Sequence, residues 1–117
     1  MKRSTSWYRR KVSELLVIYK RAGIKVRFVT NKVLADFGGM NDEAAKKFGF
    51  RRLPDDTILI DKGMHLKDQY ETLLHECEEM VRMEKLHKQY WPEHEASLKV
   101  EKKGLSKFVK AELKKGV

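Results

Sequence analysis

A chain of 117 residues with 41% apolar and 37% charged side chains is long enough to bury one core and too apolar to remain unfolded, so composition specifies a single globular domain over residues 1–117. The one cysteine, Cys77, excludes an intrachain disulfide and fits a reducing, cytoplasmic setting. No apolar run approaches the ~18 residues of a membrane span, and no apolar core follows the basic N-terminal residues as it would in a secretory leader.

The formal net charge of +9 is unevenly spread. Residues 1–32 hold ten Lys or Arg against one acid, residues 33–98 hold nine against fourteen, and residues 99–117 hold seven against two. Two basic ends flank an acidic middle, and basic ends attract phosphate backbones. Abundant Lys, Arg and Glu with two prolines also fit a heat-adapted source.

In chain order, Ser4, Thr5 and Ser6 offer N-caps to a first helix whose apolar positions are Tyr8, Val12, Leu15, Leu16 and Tyr19, with Gly23 as its stop. Trp7 and Tyr8 beside Arg9, Arg10 and Lys11 make the nucleic-acid-binding alternative concrete: aromatic stacking surfaces next to cations. Ile24, Val26 and Phe28 alternate with Lys25 and Arg27, the period of a half-buried strand. Gly38-Gly39 interrupts the next segment, and Asn41 and Asp42 cap a short helix in "NDEAAKKF". "FGFRRL", the turn "PDD" and "TILID" read as a hairpin over residues 48–61. From His65 the period becomes helical, with Leu66, Tyr70, Leu73, Leu74, Cys77, Met80 and Val81 in one stripe. Cys77 on that stripe reads as buried packing and His65 as a cap or surface residue. Pro92 opens a helix carrying His94, Leu98 and Glu101, and Gly104 separates it from a last helix with Leu105, Phe108, Val109 and Leu113. Strands before the long helix and helices after it give an α+β fold.

The candidate chemistry lies in "TLLHECEEM". At 100° per residue His75 and Glu79 fall within about 40° of each other, opposite the apolar stripe, with Glu76 flanking them. Met83, Leu86 and Tyr90 fall on that same second face, so it too is expected to be covered, by the C-terminal helices. A partly buried His–Glu pair needs partners, and residues four apart on a helix can share one ion. His94 supplies the third ligand in this reading, and Glu101, seven residues on, either ligates as well or orients His94. Glu84-x-x-His87 has the spacing used in di-iron bundles, but those need a second such motif.

These residues resemble the zincin metallopeptidases of the gluzincin type. "TILID", a short link and "YETLLHE" are similar to the strand-to-helix entry of that fold, and the downstream helix with His94 and Glu101 is similar to its later ligand helix. The resemblance implies a minimal zincin-like domain, a last strand running beside a substrate cleft, metal ligation by His75 and His94, and Glu76 as general base to the metal-bound water. Glu79 stands where the family's signature has histidine. "YWPEHEA" is also similar to small archaeal and viral proteins with an H-E-x-x-E helix. The expected function is a metal-dependent hydrolase of peptides or proteins, or a degenerate relative, with zinc as the metal and manganese or iron as alternatives that the added carboxylate charge favours. The competing reading is a basic nucleic-acid-binding module without catalysis.

Overall fold

The computed structural model describes residues 3–34, 37–48, 53–86 and 90–115, without the side chains of residues 47, 48, 90 and 91. The first helix, α1, spans Thr5–Arg21; Ser4 caps it by accepting the Trp7 amide on Oγ at 3.1 Å. Its buried positions are Val12, Leu15 and Tyr19, and Gly23, at φ 85°, turns the chain out of the helix. Strand β1 (Lys25–Val29) and a one-turn helix α2 (Asn31–Leu34) follow. Then come β2 (Gly39–Asn41), α3 (Asp42–Phe48) and β3 (Thr57–Asp61). Three helices complete the chain: α4 (Leu66–Leu86), α5 (Tyr90–Lys103), with Pro92 in its first turn, and α6 (Lys107–Lys115). The architecture is α+β, as expected: six helices around a three-stranded mixed sheet among the described residues.

The sheet differs from the expected hairpin. Its order is β1-β3-β2, with β3 in the middle. β3 runs parallel to β1, pairing Lys25 with Thr57 and Val29 with Asp61, and antiparallel to β2, pairing Gly39 with Ile60 and Asn41 with Ile58. Both edges of "TILID" are therefore occupied, and neither partner comes from residues 48–56. Phe48 ends α3, and residues 49–52 of "FGFRRL" lie outside the described residues. The turn is real, but it joins a helix to a strand; Asp56, at φ 54°, donates its amide to Asp42 Oδ2 at 3.1 Å. A central strand is covered on both faces, which is why Ile58, Leu59 and Ile60 follow one another without a polar residue.

Ile58 and Ile60 join the larger core with Tyr19, Leu73, Cys77 and Met80, while Leu59 joins a smaller one with Leu34, Met40, Ala44 and Leu53. The α4 stripe packs as its period predicts. But α4 is buried on its other faces too: every residue from Leu73 to Val81 is buried, including His75, Glu76, Glu78 and Glu79. α5 packs along the second face beside His75 and Glu79, although Leu86 at the end of α4 stays 37% exposed. Tyr90, expected on α4, belongs to α5.

Charges enclosed this way need partners. Glu78 finds its own away from the other three. It accepts the Ser106 amide at 2.9 Å and the Ser106 hydroxyl at 2.6 Å, and it pairs with Arg82. Ser106 Oγ in turn accepts the Val109 amide at the start of α6, so Glu78 fastens the last helix to α4.

Candidate metal centre

The other three buried charges of α4 meet residues from two further segments, β2 and α5. His75 Nε2 lies 3.2 Å from Glu79 Oε2 and 3.1 Å from His94 Nδ1, and His94 Nδ1 lies 2.7 Å from Glu79 Oε2. One helical turn on α4 supplies two of these atoms, and α5, crossing the same face, supplies the third. Among the described residues this is the group of His, Cys, Asp or Glu side chains whose donor atoms all converge within 4.8 Å. Donors sharing a zinc ion at about 2.0–2.2 Å in tetrahedral geometry stand roughly 3.3–3.6 Å apart, so the two His75 distances need to open by a few tenths of an ångström and the His94–Glu79 distance by about 0.6–0.9 Å. Two imidazoles and a carboxylate are also a common donor set for a divalent transition metal, and the residues fit such an ion.

Glu101 has a different place from either expected. Its Oε2 accepts from His75 Nδ1 at 2.9 Å, on the side of the ring away from Glu79 and His94. A carboxylate there holds the proton on Nδ1 and presents Nε2 to the cluster. Glu101 thus orients His75, not His94, and from that position it does not share the convergence point of the other three.

Asn41, read from the sequence only as a helix cap, proves central. Its Oδ1 does cap α3, accepting the Ala44 amide at 2.9 Å. Its Nδ2, fully buried, donates to Glu76 Oε1 at 2.9 Å and to Glu79 Oε1 at 3.0 Å. A single amide group thereby holds the candidate base and the candidate ligand side by side. Gly39, two residues earlier, permits this: a Cβ there would stand 2.6 Å from Thr72 Cγ2, 3.1 Å from Glu76 Cγ and 3.2 Å from the Leu59 carbonyl oxygen. Only glycine lets β2 approach α4 so closely. The "GGMN" segment was the available signal, a glycine pair one residue short of an amide residue.

The cluster opens into a cleft of about 230 Å³ whose walls include Gly38, Gly39, Met40 and Thr72. The strand beside this cleft is therefore β2, not "TILID", which lies behind it as the centre of the sheet. A larger depression of about 1120 Å³ borders the cleft at Glu101.

Without an ion the cluster is strongly perturbed. Burial alone would lower the His75 pKa, but the hydrogen bond to Glu79, the charges of Glu76 and Glu79 and the bond to Glu101 outweigh it and raise the pKa to about 9. Burial, reinforced by the charge of Glu79, pushes Glu76 up to about 8 against the opposing effects of His75 and Asn41. Burial likewise pushes the Cys77 thiol to about 12, so it is packing and not a nucleophile at neutral pH.

The remaining sequence candidates lie elsewhere. His65 is exposed just ahead of α4. Glu84 is half-buried, and His87 lies outside the described residues. Arg9 and Arg10 are exposed on α1, and Lys11 Nζ is 3.3 Å from Glu14. Trp7 packs edge-on against Tyr8 and Tyr70 at centroid distances of 5.0 and 5.6 Å, with Arg3 3.9 Å over its ring. No helix among the described residues is long and apolar enough to cross a membrane. Comparison with protein-family models, with curated proteins and with solved structures finds no match.

Proposed function

We propose that the chain is a metal-dependent hydrolase acting on peptides or proteins, a minimal zincin-like metallopeptidase or a degenerate relative of one. The observation that carries this reading is the convergence of His75, Glu79 and His94, from two helices, to within 2.7–3.2 Å of one another at the wall of an open cleft that Glu76 also lines. A closed structural site has no such opening and no adjacent base. His75 Nε2, His94 Nδ1 and Glu79 would hold the ion, zinc being the best match and manganese or iron the alternatives. When bound, the ion supplies Lewis acidity to a carbonyl and to water.

The protein's own groups do the rest. Glu101 keeps the His75 proton on Nδ1 so that Nε2 is available. Asn41 fixes Glu76 through Oε1, leaving Oε2 to take a proton from water in the cleft as that water attacks a carbonyl, and to return it to the leaving amine.

Elemental analysis of protein purified without added metal, compared with His75→Ala, tests the seat. One ion per chain is expected in the wild type and none in the variant. A peptide-library digest then tests the chemistry: Glu76→Gln should keep the ion and lose cleavage. A wild-type protein that takes up no zinc, manganese or iron on titration, or a Glu76→Gln variant that cleaves as well as wild type, refutes the reading.

A further inference from the structure

A second groove lies between α1 and α6, across the molecule's basic ends. It encloses about 870 Å³, and its floor is aliphatic: Leu15 and Ile18 from α1, Leu74 from α4, Leu105 and Leu113 from the last segment. Ile18 is 43% exposed at its edge. Cations line it from both helices, Lys11 and Arg21 on α1 and Lys110, Lys114 and Lys115 on α6, joined by Lys103 at the end of α5. Among the described residues Glu14 is the one acid lining it, and it is engaged by Lys11 at 3.3 Å. Of the cations, Lys115 is held by Glu112 at 3.4 Å, while Arg21, Lys103, Lys110 and Lys114 form no ion pair among the described residues.

We propose that this groove docks an amphipathic helix of a partner protein, with leucine-like side chains on one face and carboxylates flanking them. Charge complementarity and an aliphatic floor define the two halves of that surface. The walls are helices, with the turn at Gly104–Leu105 between them, so no strand edge is offered for an extended peptide to pair with. A helix, which satisfies its own backbone, suits such walls. Nucleic acid fits less well, because single strands are gripped by stacking on aromatic faces. Among the described residues the groove's one aromatic side chain, Tyr70, is packed against Trp7 and Tyr8.

The probe is a fluorescein-labelled synthetic helix of about 18 residues with leucine on one face and glutamate elsewhere, followed by anisotropy. Its counterpart carries lysine for every glutamate. The glutamate peptide should bind with micromolar affinity that weakens as salt rises, and the lysine peptide should not bind. Ile18→Ser, and separately the pair Lys110→Glu with Lys114→Glu, lie at exposed positions and should each weaken binding at least about tenfold. His75→Ala should leave it unchanged, so this result is independent of the hydrolase reading. Failure of the glutamate peptide to bind, equal binding of both peptides, or indifference to both sets of substitutions overturns the proposal. So does a single-stranded oligonucleotide, or a vesicle of anionic phosphatidylglycerol, that binds more tightly than the peptide and is weakened by the same substitutions.

Discussion

Seating a metal ion at His75 must expel a proton, and the structure sets the size of the effect. The three carboxylates around the imidazole outweigh its burial and raise its pKa to about 9, so at pH 7 the metal-free protein holds His75 as imidazolium. Nε2 cannot bind an ion until that proton leaves. Removing it at pH 7 costs about 2 pK units, or about 2.7 kcal/mol, and the apparent zinc affinity should rise roughly tenfold per pH unit between pH 6 and 8 from this group alone. Calorimetric titration of zinc into metal-free protein at pH 7, in two buffers of different protonation enthalpy, measures the protons released; at least about one per ion is expected. Stability responds in the same sense. The folded metal-free chain keeps protons on His75 up to about 9 and on Glu76 up to about 8, where the unfolded chain releases them near 6.5 and 4.5. The native state therefore binds more protons across that window, and stability is lost as pH rises from about 5 to 9. Saturating zinc should remove most of this slope. A titration releasing no protons, with an affinity flat in pH, refutes the charge state assigned to the cluster.

Gly39→Ala should cost about 1–3 kcal/mol in urea unfolding, because its Cβ would stand 2.6 Å from Thr72 Cγ2, and Thr72→Ser should recover part of that loss in a double-mutant cycle. Asn41→Leu removes the donor shared by two buried carboxylates as well as the α3 cap, and should cost about 3 kcal/mol while lowering zinc affinity. Glu78→Ala leaves the Ser106 amide without its partner and Arg82 with only Glu93, 3.7 Å away; a loss of about 2–3 kcal/mol is expected, with hydrogen exchange rising first in α6.

What the sequence determined by itself was everything carried by local period and spacing. The stripe from Leu66 to Val81 places one face of α4 in the core, Ser4 and Gly23 bound α1, and the four-residue step from His75 to Glu79 puts both on one side of a helix whatever surrounds it. These are properties of a few consecutive residues, so they survive without knowledge of the rest. The convergence of His94 on that pair was an expectation drawn from inventory, and only the crossing of α5 over α4 brings its Nδ1 to 2.7 Å from Glu79. Strand order was beyond local reading, because a turn signal such as Pro54-Asp55-Asp56 marks a reversal without naming the partner strand; β3 found both of its neighbours upstream of residue 42. Asn41 and Gly39 acquire their roles only because β2 is laid against α4, and Glu101 reaches His75 instead of its helix neighbour His94 because α5 crosses α4. Periodicity reports that a face is buried. Which side chains meet there is decided by how distant elements pack, since a hydrogen bond or a shared ion depends on distances of a few tenths of an ångström that no spacing along the chain encodes.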